Sequence, residues 1–276
     1  MRIATLITCH NRKKKTLACL DALFKNVLPV DCSLEVILVD DGSTDGTEHA
    51  VRECFTQVNI IKGDGNLFWN RGMHKAFARA LEIGFDGYLW LNDDTALYPT
   101  ALEHLIDTWR EQTLATGIEA IYVGSTQNPQ TGQLTYGGVI RHSFLKPFRF
   151  SLVQPGEVPL ECHTMNGNCV FVPQQIAVRL GNLEPHFAHA MGDTDYGLRA
   201  GQAGIKVLVV PGFVGVCDKN PATGSFNDRS LPAHERWKKM MQPKGLPPAS
   251  WLVFTRRHGG FLWPLYWVAP YLKVWF

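Results

Sequence analysis

Three stretches of this chain bring carboxylates together at spacings that could do chemistry. "VDDGSTDGT" (39–47) closes an apolar run with Asp40 and Asp41, "LNDDT" (91–95) closes another with Asp93 and Asp94, and "GDTDYGLRAGQAG" (192–204) carries Asp193 and Asp195. Adjacent carboxylates repel each other and favour water, so a pair at the end of a core strand needs a counter-charge or a helix to cap. Capping takes one acid, and "LNDDT" has two. Hard oxygen donors of this kind suit Mn²⁺ or Mg²⁺, which keep several waters and share substrate phosphates. Asp41 has two readings: a turn with a helix cap from Ser43 or Asp45, or an acceptor for a nucleobase N–H with Thr8 framing the ring. A carboxylate suits the imide of uracil or thymine.

Asp193 and Asp195 differ in their prospects. On a helix they point in different directions. Asp195 and Arg199 form an i,i+4 pair with the acid first, the orientation of a structural ion pair. Asp193, at the helix start, is either a cap or a general base, and the positive helix end should lower its pKa. "GDGNLFWNRGMHKAF" (63–77) has neither a P-loop nor a GxGxxG pattern. It reads as a loop and helix start beneath a diphosphate, with Arg71 and Lys75 as its charge partners or as solvated surface. "CHTMNGNCVFVP" (162–173) fits no zinc spacing, and its turn Asn166-Gly167-Asn168 is a candidate substrate contact.

These residues need a scaffold that gathers them. "IATLIT", "LEVILVD", "VNII" and "YLWL" are compact β-branched runs of the buried parallel type. Helical patterns at 16–25, 47–55, 72–83 and 100–113 alternate with them. The result is an α/β chain with a mostly parallel, doubly wound sheet, whose ligands bind outside the carboxyl ends of the strands. Thr8, Asp41 and the Asn92-Asp93-Asp94 group all fall at such ends. Further on, "GQLTYGGVIRHSFLKPFRF" reads as a β-hairpin, "NGNCVFVP" as a turn into a strand, and "KVLVVPG" as a late strand; a helix runs from near Asp193 to Gly204.

The composition is that of a globular protein: 276 residues, 45% hydrophobic and 19% charged. No apolar window is long enough for a membrane span, and "MRIATLITCHN" turns polar too early for a signal peptide. The seven cysteines form no CxxC pair, which fits reduced thiols in a cytoplasmic protein. The net charge of +2 is unevenly spread: residues 229–276 hold eight Lys/Arg against one acid, leaving 19 basic and 24 acidic residues upstream. That tail also holds five of the eight tryptophans. The division expected is a catalytic domain over 1–228 and a basic, Trp-rich extension over 229–276. Trp and cations together favour a membrane interface, while the rival role is packing on the body or an oligomer contact. No motif for nucleic acid accompanies the basic residues.

The three ordered acidic motifs resemble family 2 glycosyltransferases of the GT-A fold, over residues 2–211. Within that family the chain looks most like bacterial sugar transferases of polysaccharide, O-antigen or capsule assembly, which show stretches similar to "GNLFWNRGM" and "WLNDDT". The resemblance implies an inverting, metal-dependent transfer from a nucleotide-diphosphate sugar, UDP or dTDP before others, to a hydroxyl of a glycan or lipid-linked acceptor. Thr8 and Asp41 would contact the base, Asp93 the ribose and Arg71 the nucleotide. Asp94 would ligate Mn²⁺ or Mg²⁺, and Asp193 would be the catalytic base. Trp69, Asn166, Gly167 and Asn168 are candidates for the sugar or acceptor pocket. It implies a cytoplasmic protein, peripheral on the inner face of the plasma membrane. The chain departs from the family pattern at Gly192, where relatives often carry Glu. A sugar-phosphate nucleotidyltransferase would need a Gly-rich loop after the first strand, which "TCHNRKKK" lacks. A catalytically dead assembly subunit would not need Asp94 and Asp193.

Overall fold

A computed structural model describes residues 1–143, 146–220 and 223–276. The first half alternates as its sequence pattern predicts: β1 (Arg2–Cys9), α1 (Lys13–Phe24), β2 (Ser33–Asp40), α2 (Thr47–Cys54), β3 (Asn59–Lys62), α3 (Phe68–Ile83), β4 (Gly87–Leu91), β5 (Ala96–Leu97) and α4 (Ala101–Thr116). There follow β6 (Ala120–Gln127), β7 (Leu134–Tyr136), β8 (Gly138–Ser143), β9 (Lys146–Leu152), β10 (Leu160–Cys162), β11 (Thr164–Met165) and β12 (Cys169–Pro173). The chain ends with α5 (Gln174–Leu180), α6 (Gly192–Gln202), β13 (Lys206–Val216), α7 (Ala233–Met240), α8 (Pro248–His258) and α9 (Trp263–Lys273). The expected hairpin is the β8–β9 pair, and residues 144–145 at its tip lie outside the described residues.

The large sheet has the order β10-β13-β6-β12-β4-β1-β2-β3. β1, β2, β3 and β4 are parallel, and so are β6 and β13; β12 runs antiparallel between β4 and β6. Helices cover both faces. One face packs α3, α5 and α6 around Phe77, Tyr88, Trp90 and Tyr196, all fully buried; the other packs α1, α2 and α4 against Ile7, Leu38 and Leu89. Every residue of β4 is buried, as its unbroken apolar run requires of a central strand.

α3 begins at Phe68, four residues before the sequence pattern predicts. The reason is tertiary. Asp41 accepts the Phe68 N–H, and the Ala188 carbonyl accepts those of Asn70 and Arg71, so partners distant in sequence satisfy the orphan donors of the first turn.

The tail is helical and folded onto the body. Trp251 and Phe254 of α8 pack with Phe187 and Leu198, and Phe148, Leu246, Trp267 and Tyr271 enclose them. Among the described residues no helix is long and apolar enough to cross a membrane.

Candidate active site

Parallel pairing fixes the site. Cys9 stands beside Asp40, and Leu6 beside Trp90, so the turns after β1, β2 and β4 share one rim. A cleft of ≈ 170 Å³ opens there, lined by Thr8, His10, Arg12, Asp41, Trp69 and Asp93, with His189 and Lys244 across from them. Among the described residues, three besides glycine adopt left-handed backbone: Asn11 (φ 52°), Phe68 (φ 57°) and Met191 (φ 78°). Asn11 and Phe68 flank this cleft, Met191 precedes the Asp193 helix, and strain of this kind gathers at functional sites.

Asp41 organises the loop that leads into α3. Its two oxygens accept the Gly65 N–H (2.8 Å) and the Phe68 N–H (2.9 Å), while its carbonyl takes a bond from His10 Nδ1. Asp45, not Ser43, serves the start of α2, accepting from Thr47 N at 3.1 Å, and it also accepts from Lys13 N at 3.0 Å.

Arg12 reaches across to the acidic pair. It donates to Asp93 Oδ1 at 2.9 Å and to Asp94 Oδ2 at 2.5 Å, with Lys15 Nζ 3.6 Å from the same Asp94 oxygen. Asp93 is only 4% exposed. Burial pushes its carboxyl up to about 7, with Asp94's charge adding to the rise and Arg12 opposing it. Its Oδ2 is buried without a partner. Two hard carboxylates, one with an orphaned oxygen, fit a divalent cation that takes its remaining ligands from phosphate and water. Among the described residues no third acidic, His or Cys ligand joins them.

Asn92 has a partner too: the Trp69 indole N–H donates to its Oδ1 at 2.6 Å. The Trp69 ring lies against Gly167, where a Cβ would collide with it. The Gly167 N–H in turn donates to Asp193 Oδ2 at 3.0 Å, and Thr194 N–H to Asp193 Oδ1 at 2.7 Å. Thus Trp69 and Gly167 join the cleft to Asp193. Burial raises the Asp193 pKa, with the two backbone bonds opposing it. This corrects the expectation of a lowered value: desolvation outweighs the helix end.

The remaining sequence candidates are placed as follows. Asn168 is buried and supports the β4 turn, its carbonyl accepting the Asn92 N–H; Asn166 pairs with the Gly137 backbone. Arg71 donates to the Pro185 carbonyl and Lys75 to that of Lys62, and neither lines the cleft. Gly192 is explained by Asn70. A side chain at 192 would overlap Asn70 Oδ1, because Asn70 fills that space while donating to the Glu184 and Phe187 carbonyls at 2.8 Å each.

Asp195 is a structural ion pair with Arg199, as its spacing predicts, and more. Arg257 Nη1 and His258 Nε2 of α8 also bond it, at 2.7 and 2.8 Å, and Arg257 continues to Glu184 at 2.8 Å. Burial would push this carboxyl up; the His258 and Arg257 bonds and the Arg199 charge hold it below the usual range. Arg12, His189, Lys244 and the α8 pair escaped the sequence reading. The signals for them were compositional: the basic run after β1 for Arg12 and the basic tail for Lys244 and Arg257.

Known proteins bear on this geometry. A mycobacterial protein (Mycobacterium tuberculosis), an N-acetylglucosaminyl-diphospho-decaprenol L-rhamnosyltransferase, is 26% identical, with 88% of this chain and 80% of that protein covered. A mannosyltransferase from Pyrobaculum calidifontis, solved with GDP-Man and Mn²⁺, superposes with a TM-score of 0.55 at 18% identity, over 88% of this chain and 62% of that one. GalNAc-T7, solved with UDP, GalNAc and Mn²⁺, gives 0.60 at 13% identity, over 76% and 42%. This chain therefore spans less than two thirds of either solved chain, and at such identities the likeness establishes the GT-A fold alone. The family model of glycosyl transferase family 2 matches residues 5–173, more than half of the chain. With the acidic rim in the arrangement described, the chain belongs to glycosyl transferase family 2 and is a glycosyltransferase.

Proposed function

We propose that this enzyme moves a sugar, with inversion, from a UDP- or dTDP-sugar to a hydroxyl of a lipid-linked saccharide in cell-surface polysaccharide assembly. The observation that carries the reading is the link from the donor cleft through Trp69 and Gly167 to the Asp193 carboxylate. The mycobacterial relative, named for rhamnosyl transfer to a lipid-diphosphate sugar, supports the acceptor class.

Asp193 takes the proton of the acceptor hydroxyl, whose oxygen attacks the anomeric carbon as the bond to the diphosphate breaks. A raised carboxyl pKa makes it a stronger base than an exposed aspartate. Trp69, fixed by Asn92, forms the wall between donor and acceptor. Thr8 and Asp41 face the base, and Asp93 the ribose. Asp94, with Asp93 beside it, would hold a divalent ion, which would supply charge neutralisation for the departing diphosphate.

The acceptor reading extends to the tail. Phe261 (90% exposed), Leu265 (66%), Val268, Leu272 (60%) and Phe276 (99%) recur three or four residues apart from the single turn before α9 (Gly260–Leu262), through α9, to the residues after it. Such a stripe, in a tail rich in Lys and Arg, suits a membrane surface holding a lipid-linked acceptor.

A thermal-shift screen of UDP-, dTDP- and GDP-sugars with Mn²⁺ tests the donor, since ligand binding raises apparent stability. A rise with one nucleotide class supports the reading, and no response to any of them overturns it. Co-sedimentation with anionic vesicles tests the tail: wild type should pellet and Leu265→Glu/Leu272→Glu should not. Equal behaviour of the two would refute the membrane contact.

A further inference from the structure

The donor cleft is not built by the family-matched region alone. Lys244 lines it from the turn between α7 and α8, deep in the C-terminal extension. That turn is held in place: Gly245 N–H donates to Gln242, Leu246 N–H to Met240, and the Leu246 carbonyl accepts from Tyr271 Oη at 2.9 Å. Met240 is buried and Leu246 packs in the tail's own core, so the backbone beneath Lys244 is fixed while its side chain is exposed.

The cleft's charges show what this lysine is for. Arg12 pairs with Asp93 and Asp94, and Lys15 lies against Asp94, so both cations sit at the acidic pair. Lys244 takes part in no hydrogen bond or ion pair among the described residues. Beside it His189 presents a ring whose Nδ1 is buried without a partner. A nucleoside diphosphate brings several negative charges to a rim that already holds Asp41, Asp93 and Asp94. Its phosphates need an uncommitted cation, and Lys244 is the lysine lining the cleft. At ≈ 170 Å³ the cleft is smaller than the roughly 300–1,000 Å³ of ligand pockets, so long side chains at its mouth must swing aside and re-form around the donor.

We infer that Lys244 is a donor-binding residue, which contacts the diphosphate of the nucleotide sugar and neutralises it as the leaving group. Resting on the nucleotide-sugar reading, it makes the C-terminal extension a working part of the donor site. Lysine meets phosphate as a point charge with three rotatable donors, a role that tolerates arginine but not a neutral side chain.

The test is calorimetric titration of the full chain with a nucleoside, its monophosphate and its diphosphate, with Mn²⁺ present and absent. Lys244→Ala should weaken the diphosphate by about ten- to a hundredfold, as expected for a lost charge-assisted hydrogen bond, and leave the nucleoside unchanged. Lys244→Arg should restore most of the affinity, and Lys238→Ala, on α7, should bind as wild type. Thermal midpoints of the Lys244 variants, measured alongside, should match wild type, because the side chain is exposed. Diphosphate affinity unchanged in Lys244→Ala, or nucleoside and diphosphate weakened equally, overturns the inference while the donor reading stands. A wild-type chain that binds no nucleoside diphosphate overturns the donor reading and this inference with it.

Discussion

Arg12 donates to Asp94 at 2.5 Å, so the carboxylate proposed to take a divalent cation is charge-paired by the chain itself. A cation bound there would compete with the guanidinium for the same oxygens. Arg12→Ala should therefore bind Mn²⁺ about tenfold more tightly in the absence of nucleotide, equivalent to about 1.4 kcal/mol. Electron paramagnetic resonance of free Mn²⁺ reads this directly. Equal affinity in the two proteins would mean that Arg12 does not guard the site.

Asp193→Asn keeps the shape and one of the two backbone bond acceptors but removes the proposed base. The turnover rate should drop about 10²–10⁴-fold with nucleotide binding unchanged. Because burial raises the Asp193 pKa, the acid limb of kcat/KM should fall at a higher pH than an ordinary carboxylate gives. A limb in the ordinary carboxylate range would assign it to another group.

Two histidines make the fold acid-sensitive. Burial pulls His189 down to about 4, with Lys244 and Arg12 adding to the effect, and burial also lowers His258 against the pull of Asp195. Both are neutral in the fold at pH values where the unfolded chain, with a histidine pKa of about 6.5, takes up protons. Stability is thus greatest above that value and falls as the pH drops below it, His189 contributing down to about pH 4. Thermal midpoints across this range should decline in wild type and decline less in His189→Asn. Parallel curves would exclude His189 as a source.

Asp195 is fully buried between Arg199, Arg257 and His258. Asp195→Ala leaves the partly buried Arg199 without its carboxylate and His258 without its bond, while Arg257 keeps Glu184, and should cost about 3–5 kcal/mol in urea unfolding. A loss below about 1 kcal/mol, the range of surface pairs, would show that solvent already screens the cluster.

Gly192→Ala should destabilise the fold by overlapping Asn70 Oδ1. Combined with Asn70→Gly, which vacates the space, it should cost less than the two single losses added together. The coupling is expected at about 0.5–3 kcal/mol in a double-mutant cycle. Strict additivity would reject the steric account.

Much of the catalytic half was legible because its signals are local. β4 reads as a buried strand from its unbroken run GYLWL, and Asp93-Asp94 reads as a strand-end rim because two adjacent acids after such a run need a counter-charge. What was hidden depends on contacts far apart in sequence. Arg12 meets the acidic pair across 81 residues, and Lys244 reaches a cleft whose floor is built near the N-terminus. α3 starts early because Asp41 and Ala188 supply its first partners, which no helical pattern encodes. The basic, aromatic tail announced its composition but not its division of labour. Trp251 and Phe254 face inward, whereas Phe261 and Leu265 face out.

The Asp195 cluster carries a lesson for exchanging parts between relatives. The helix that begins with the candidate base has its second aspartate bonded by two consecutive residues of the tail, Arg257 and His258, as well as by its own Arg199. A chimera that grafts another transferase's C-terminal segment onto this body inherits a buried carboxylate short of two partners, and it should lose stability unless the graft supplies hydrogen-bond donors at those two positions. Swapping tails is therefore a matter of matching one hidden charge before any surface is redesigned.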